Sequence, residues 1–90
     1  MEIEIKNVSD KTYQHSGRHF MVEMKSGKHS AIVVVGDDHV RVIVQNASNR
    51  CWKGMGRRFR DEAEALAYYR TPQVLGMIKH AAEAAKVRAP

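Results

Sequence analysis

The sequence predicts an α+β fold: an antiparallel meander sheet of four strands, or five, followed by two C-terminal helical segments packed on one of its faces. Three observations predict it. Apolar and polar residues alternate with period two through the first half of the chain. Clusters of Gly, Asp, Asn and Ser separate the alternating runs as hairpin turns do. In the last third the apolar residues recur at helical spacing instead.

Glu2 to Val8 alternates strictly, with Ile3 and Ile5 on one side and Glu2, Glu4 and Lys6 on the other, and reads as a first strand. Ser9 to Gly17 is polar and reads as a loop returning the chain. The second strand is Arg18 to Lys25, where Phe20, Val22 and Met24 share a face, and Ser26-Gly27-Lys28 supplies a turn. Ala31 to Val35 is apolar on both faces, so it belongs in the centre of the sheet or under a helix or another subunit. Gly36-Asp37-Asp38 closes a tight hairpin into His39 to Gln45. That strand points Val40, Val42 and Val44 inward and His39, Arg41, Ile43 and Gln45 outward. Asn46 to Asn49 is a turn cluster, after which the chain forms either an irregular loop or a fifth strand paired with His39 to Gln45.

Asp61 with Glu64 three residues later matches a capping box with Asp in the Ser/Thr place, opening a helix to about Arg70 that buries Leu66 and Tyr69. Thr71-Pro72 reads as a second N-cap and first helical position, since proline lacks an amide that would be orphaned there anyway. Val74, Leu75, Ile78, Ala81, Ala82 and Ala85 then form one apolar face directed at the sheet.

Ninety residues, 43% of them hydrophobic, make a single domain spanning 1–90, with a frayed tail from about residue 87. No apolar run approaches the roughly 20 residues that cross a bilayer, and the N-terminus lacks the apolar stretch of a secretory signal. A soluble, cytoplasmic protein with no membrane association is expected. The single cysteine, Cys51, fits a reducing compartment.

Charge is segregated. Five of the 15 Lys and Arg residues (Arg50, Lys53, Arg57, Arg58 and Arg60) lie between positions 50 and 60 with no acidic residue among them, and the other ten balance the ten Asp and Glu. The whole formal charge of +5 therefore resides in this segment, among Trp52, Phe59, Gly54 and Gly56. A concentrated positive field beside aromatic rings suits a polyanion, of which nucleic acid is the commonest. The residues expected to carry binding are Arg50, Lys53, Arg57 and Arg58 as phosphate contacts, Trp52 as a stacking ring, and Arg41 as one more charge on the outer sheet face. The competing reading buries Trp52 and Phe59 as core plugs and leaves the charges to solvent. Arg60 is the weakest member, because Asp61, Glu62 and Glu64 stand beside it.

Other chemistries are less well provided for. His15 and His19 have the spacing of two metal ligands only on a helix, and no Cys, Asp or Glu cluster completes a shell around them. Cys51 beside Arg50 has no histidine near it in sequence, which favours a structural thiol. Ser26-Gly27-Lys28 lacks the upstream glycine of a phosphate-cradling loop, and the paired carboxylates serve caps and turns. No enzyme activity, cofactor or metal is expected.

The passage from a strand through Trp52, Lys53, Gly54, Gly56, Arg57, Arg58 and Phe59 into Glu62-Ala63 and a helix resembles the arm-type DNA-binding domains of phage integrases. In those a three-stranded sheet docks in the major groove and a helix braces it. The likeness covers about a third of the chain, departs in the extra N-terminal strand and the second helix, and carries no residue across. The leading expectation is a small non-catalytic nucleic-acid-binding protein, DNA favoured. The alternative is a protein-interaction module or small inhibitor that docks its basic segment on an acidic protein surface. The apolar outer side formed by Ile43 and one face of Ala31 to Val35 makes a homodimer a further expectation.

Overall fold

The structure, a computed structural model that describes residues 2–45 and 56–88, contains five antiparallel strands in one sheet ordered as they follow in the chain. They are β1 (Glu4–Tyr13), β2 (Gly17–Ser26), β3 (His29–Gly36), β4 (Val40–Gln45) and β5 (Arg57–Phe59), followed by α1 (Glu62–Tyr68) and α2 (Pro72–Val87). Both helices pack on the same face, so the α+β meander expected from the alternation is the fold.

The alternation sorts the two faces. Phe20, Val22 and Met24 of β2, Ala31 and Val33 of β3, Val40 and Val42 of β4, and Phe59 of β5 form one buried cluster with Ala65 of α1 and with α2. Helix α2 contributes Val74, Met77, Ile78, Ala81 and Ala85. Met77 is the core residue the helical pattern omitted, and Leu75 is only half-buried, a rotation of the apolar stripe by one position. In α1 the small Ala65 is fully buried, while Leu66 and Tyr69 pack against the cluster from its margin.

Two expectations change. The presumed Ser9–Gly17 loop is mostly strand: β1 runs to Tyr13, and the reversal is confined to residues 14–16. As an edge strand, β1 needs backbone partners on one side only, which it finds from Thr12↔Arg18 back to Val8↔Val22, so its polar side chains are no obstacle. The register slips once, between Ile5 and Asn7, leaving Lys6 without an opposite residue. The second change resolves an open alternative: part of the basic segment is indeed a fifth strand, with Val40↔Phe59, Arg41↔Arg58 and Val42↔Arg57 in register.

Gly56 makes that pairing possible. Its φ is +76°, and a Cβ there would lie 2.6 Å from the Val42 carbonyl oxygen and inside the Ile43 side chain, so only glycine brings the chain back against β4. At the other end of β5, the Asp61 side chain accepts from the Glu64 amide at 2.9 Å and the Glu64 carboxylate accepts from the Arg60 amide at 3.3 Å. This capping box reaches one residue further back than the usual form. Helix α1 ends where Tyr69 turns extended (φ −86°, ψ 151°), and Pro72 restarts the helix; Thr71 holds the N-cap position without a side-chain hydrogen bond.

Arg18 ties sheet to helix. Its guanidinium grips Asp10 of β1 through two 3.0 Å hydrogen bonds and donates to the Ala85 carbonyl of α2 at 3.1 Å. Its backbone amide donates to Asp37 at 3.1 Å. This fork holds the Asp10 carboxyl below its usual value.

Candidate functional site

On the face turned away from the helices, the register aligns Ser9, Met21, Val34, Arg41 and Arg58 across five strands, with Glu23, Ile32 and Ile43 in the next row. Arg41 therefore stands directly opposite Arg58. Like charges facing each other across a strand pair destabilise it unless something neutralises them. The described carboxylate beside them is Asp38, whose Oδ1 lies 3.8 Å from Arg58 Nη2 while also accepting from His39 Nδ1 at 2.9 Å. The His39 hydrogen bond, with Arg58 close by, holds the Asp38 carboxyl below its usual value. Asp38 is 78% exposed, so water weakens what it offers the arginines. Arg41 makes no ion pair with any described residue.

A cleft of about 330 Å³ opens here, between the β1–β2 turn and the β3–β4 turn. Arg41, Arg58 and Asp38 form one wall, and His15, Ser16, His19 and His39 the rest. The sequence reading put His39 on the outer face in solvent; it is on that side but only 7% exposed. The cause is Gly36, over which the imidazole lies so closely that a Cβ would be 2.7 Å from Nδ1. Asp38 accepts only, so the Nδ1 of His39 carries the proton of their hydrogen bond. Rings continue in a row, His39 to His19 at 5.9 Å and His19 to Tyr13 at 5.0 Å between centroids, both edge to face.

Two polar atoms in this group, His19 Nε2 and Arg41 Nε, are closed to water and have no hydrogen-bond partner among the described residues. An unmet buried donor or acceptor costs about 1–3 kcal/mol, so each marks a place where a partner belongs.

The expected site residues divide. Arg41 and Arg58 come together on the open face. Arg57, one residue from Arg58, points to the other face of β5, where its guanidinium lies 4.4 Å from the Tyr68 ring centroid. A second cleft of about 300 Å³ runs past Arg57, Tyr68 and Glu64. Arg60 pairs with Glu64 at 3.4 Å, in keeping with its exclusion. Phe59 is a core plug at 4% exposure, against Tyr68 and Tyr69, as the competing reading held for it. Arg50, Trp52 and Lys53 lie outside the described residues.

The sequence offers His19 only as one of a metal-ligand pair, His39 as an outward strand residue or minor binding contributor, and Asp38 as a turn residue. Parity was the available signal, because positions 19, 39 and 41 share a face, but alternation does not fix which residues stand opposite one another, and it is the register of β2, β3 and β4 that sets His19 against Gly36 and Arg41 against Val34. Among the described residues, no group of three or more His, Cys, Asp or Glu side chains is arranged to hold a metal, and no helix is long and apolar enough to cross a membrane. The chemistry of the cleft is donor-rich and cationic, suited to holding an anion. Compared with family models, curated proteins and solved structures, the chain matches none of them.

Proposed function

We propose that this domain binds nucleic acid, DNA being the favoured target, without catalysing a reaction, and that it does so through the open face and β5 edge of its sheet. One observation carries the reading: Arg41 and Arg58 oppose each other on the face turned away from the helices, where the carboxylate paired with them among the described residues is the exposed Asp38, 3.8 Å from Arg58. Phosphate oxygens supply what is missing, since a guanidinium offers a planar fork of donors that matches them. Met21, Ile32 and Ile43, half-buried beside the pair, offer apolar surface to sugars and base faces. Arg57 adds a contact on the other side of β5, and Arg50, Lys53 and the stacking ring of Trp52 belong to the same chain segment. The setting is cytoplasmic.

The test is fluorescence anisotropy of labelled duplex and single-stranded DNA across a salt series. With Arg41, Arg58 and two or more cations of the 50–57 segment each neutralising a phosphate, log K should fall against log salt with a slope of about −3 to −4. A slope near zero, or no binding at low salt, sinks the proposal and leaves the acidic protein surface as the partner to look for. Sedimentation of the same samples reports whether a second copy joins.

A further inference from the structure

The cleft between the two turns differs from the rest of the basic face, and the difference points to a particular ligand chemistry. Its cations face each other across one wall instead of spreading along a groove, which suits one compact anion more than a backbone passing over. A phosphomonoester carries about −1.5 to −2 charges near neutrality, where an internal phosphodiester carries one, so the doubly charged group is the better match for two guanidiniums. Arg41 and His19 both line this space, and Arg41 Nε and His19 Nε2, closed to water, find no partner among the described residues. Gly36 leaves room for the His39 ring, and Asp38 fixes its orientation. Next to the cleft Tyr13, 47% exposed, meets the His19 ring edge to face at 5.0 Å.

The geometry points to a binding site for a phosphate monoester in this cleft, with Arg41, Arg58 and His19 holding the phosphate and Tyr13 stacking the base beside it. Resting on the nucleic-acid reading, the ligand is the phosphorylated end of a single strand. A free nucleotide offers the same chemistry.

The experiment compares single-stranded oligonucleotides of one sequence bearing a 5′-phosphate, a 3′-phosphate or hydroxyls at both ends, by anisotropy. In parallel, inorganic phosphate and a nucleoside monophosphate are titrated while the His19 and His39 imidazole signals are followed by NMR. A phosphorylated end should bind roughly tenfold or more tightly than the hydroxyl end, the scale of a charge-assisted hydrogen-bond set. That preference should vanish in Arg41→Gln/Arg58→Gln, and in Arg58→Gln alone, whose exposed position leaves folding intact. Equal affinity for all three oligonucleotides, with histidine signals unmoved by phosphate, overturns the cleft assignment while salt-sensitive binding keeps the nucleic-acid reading. The converse result, no oligonucleotide bound but histidine signals shifted by phosphate or nucleotide, overturns the nucleic-acid reading and keeps the site for a small phosphomonoester.

Discussion

Arg18 and Arg41 belong to strands of the same sheet and face opposite ways. On the covered face Arg18 has a partner in every direction: Asp10 takes two hydrogen bonds, the Ala85 carbonyl a third, and the Phe20 ring lies 5.3 Å from the guanidinium carbon. On the open face Arg41 meets another arginine, and its buried Nε finds no acceptor among the described residues. The first arginine completes the fold, while the second has no ion-pair partner among the described residues. Counting charges treats the two alike, and only the accounting of partners separates a cation satisfied within the fold from one that is not.

The largest effect is expected on the covered face, where the buried cluster lies. Phe20→Ala should cost about 3–5 kcal/mol in urea unfolding, because it removes a fully buried ring from the centre of the cluster; a loss below about 1 kcal/mol would show that the helices do not seal this face. Next in size is Gly56→Ala. A strained φ and a collision with β4 should destabilise by about 1–3 kcal/mol, and detaching β5 should also weaken DNA binding. A stable, fully binding Gly56→Ala protein would mean that β5 does not hold Arg58 opposite Arg41.

Arg41→Ala/Arg58→Ala sharpens the contrast from the other side. Removing a like-charged pair should leave stability within about 0.5 kcal/mol of the parent, or raise it, while the salt slope of DNA binding shrinks by about 2. A large stability loss would make the pair structural. The smallest effect concerns acid. The Asp10 carboxyl is lower in the folded than in the unfolded chain, so its contribution is complete above the unfolded value near 3.8 and disappears as pH falls through the lower folded value. Asp10→Asn should flatten thermal stability against pH below about 4 and leave DNA binding untouched; an unchanged acid profile would remove Asp10 from the clamp.

Period-two alternation and turn chemistry were enough to read the meander, because burial on one face constrains every second residue of β2, β3 and β4, and helical spacing with the Asp61 and Pro72 start signals was enough to read the helices. They failed at Ser9–Tyr13, where an edge strand lies partly beyond the helices and Ile5 and Val8 stay exposed, so no apolar pattern is required of it. The basic segment was legible as composition. Its division between two faces was not, since whether Arg57 and Arg58 act together depends on β5 being a strand, and that depends on the approach Gly56 permits. The cleft was least legible: His19, Asp38, His39 and Arg58 come from three separate stretches of chain, and only the completed register makes them neighbours.

The register slip in β1 has a bearing on how the molecule behaves in a crowd. A ten-residue outer strand whose far rim pairs with no described strand is an invitation to edge-to-edge sheet growth, the route by which β proteins become fibres. Lys6 interrupts that rim, standing unopposed at the slip with its ammonium 3.1 Å from Glu4, and a passing strand would have to desolvate this pair and bridge a broken ladder to attach. The same irregularity that costs one rung of the sheet keeps neighbouring copies from stacking upon it.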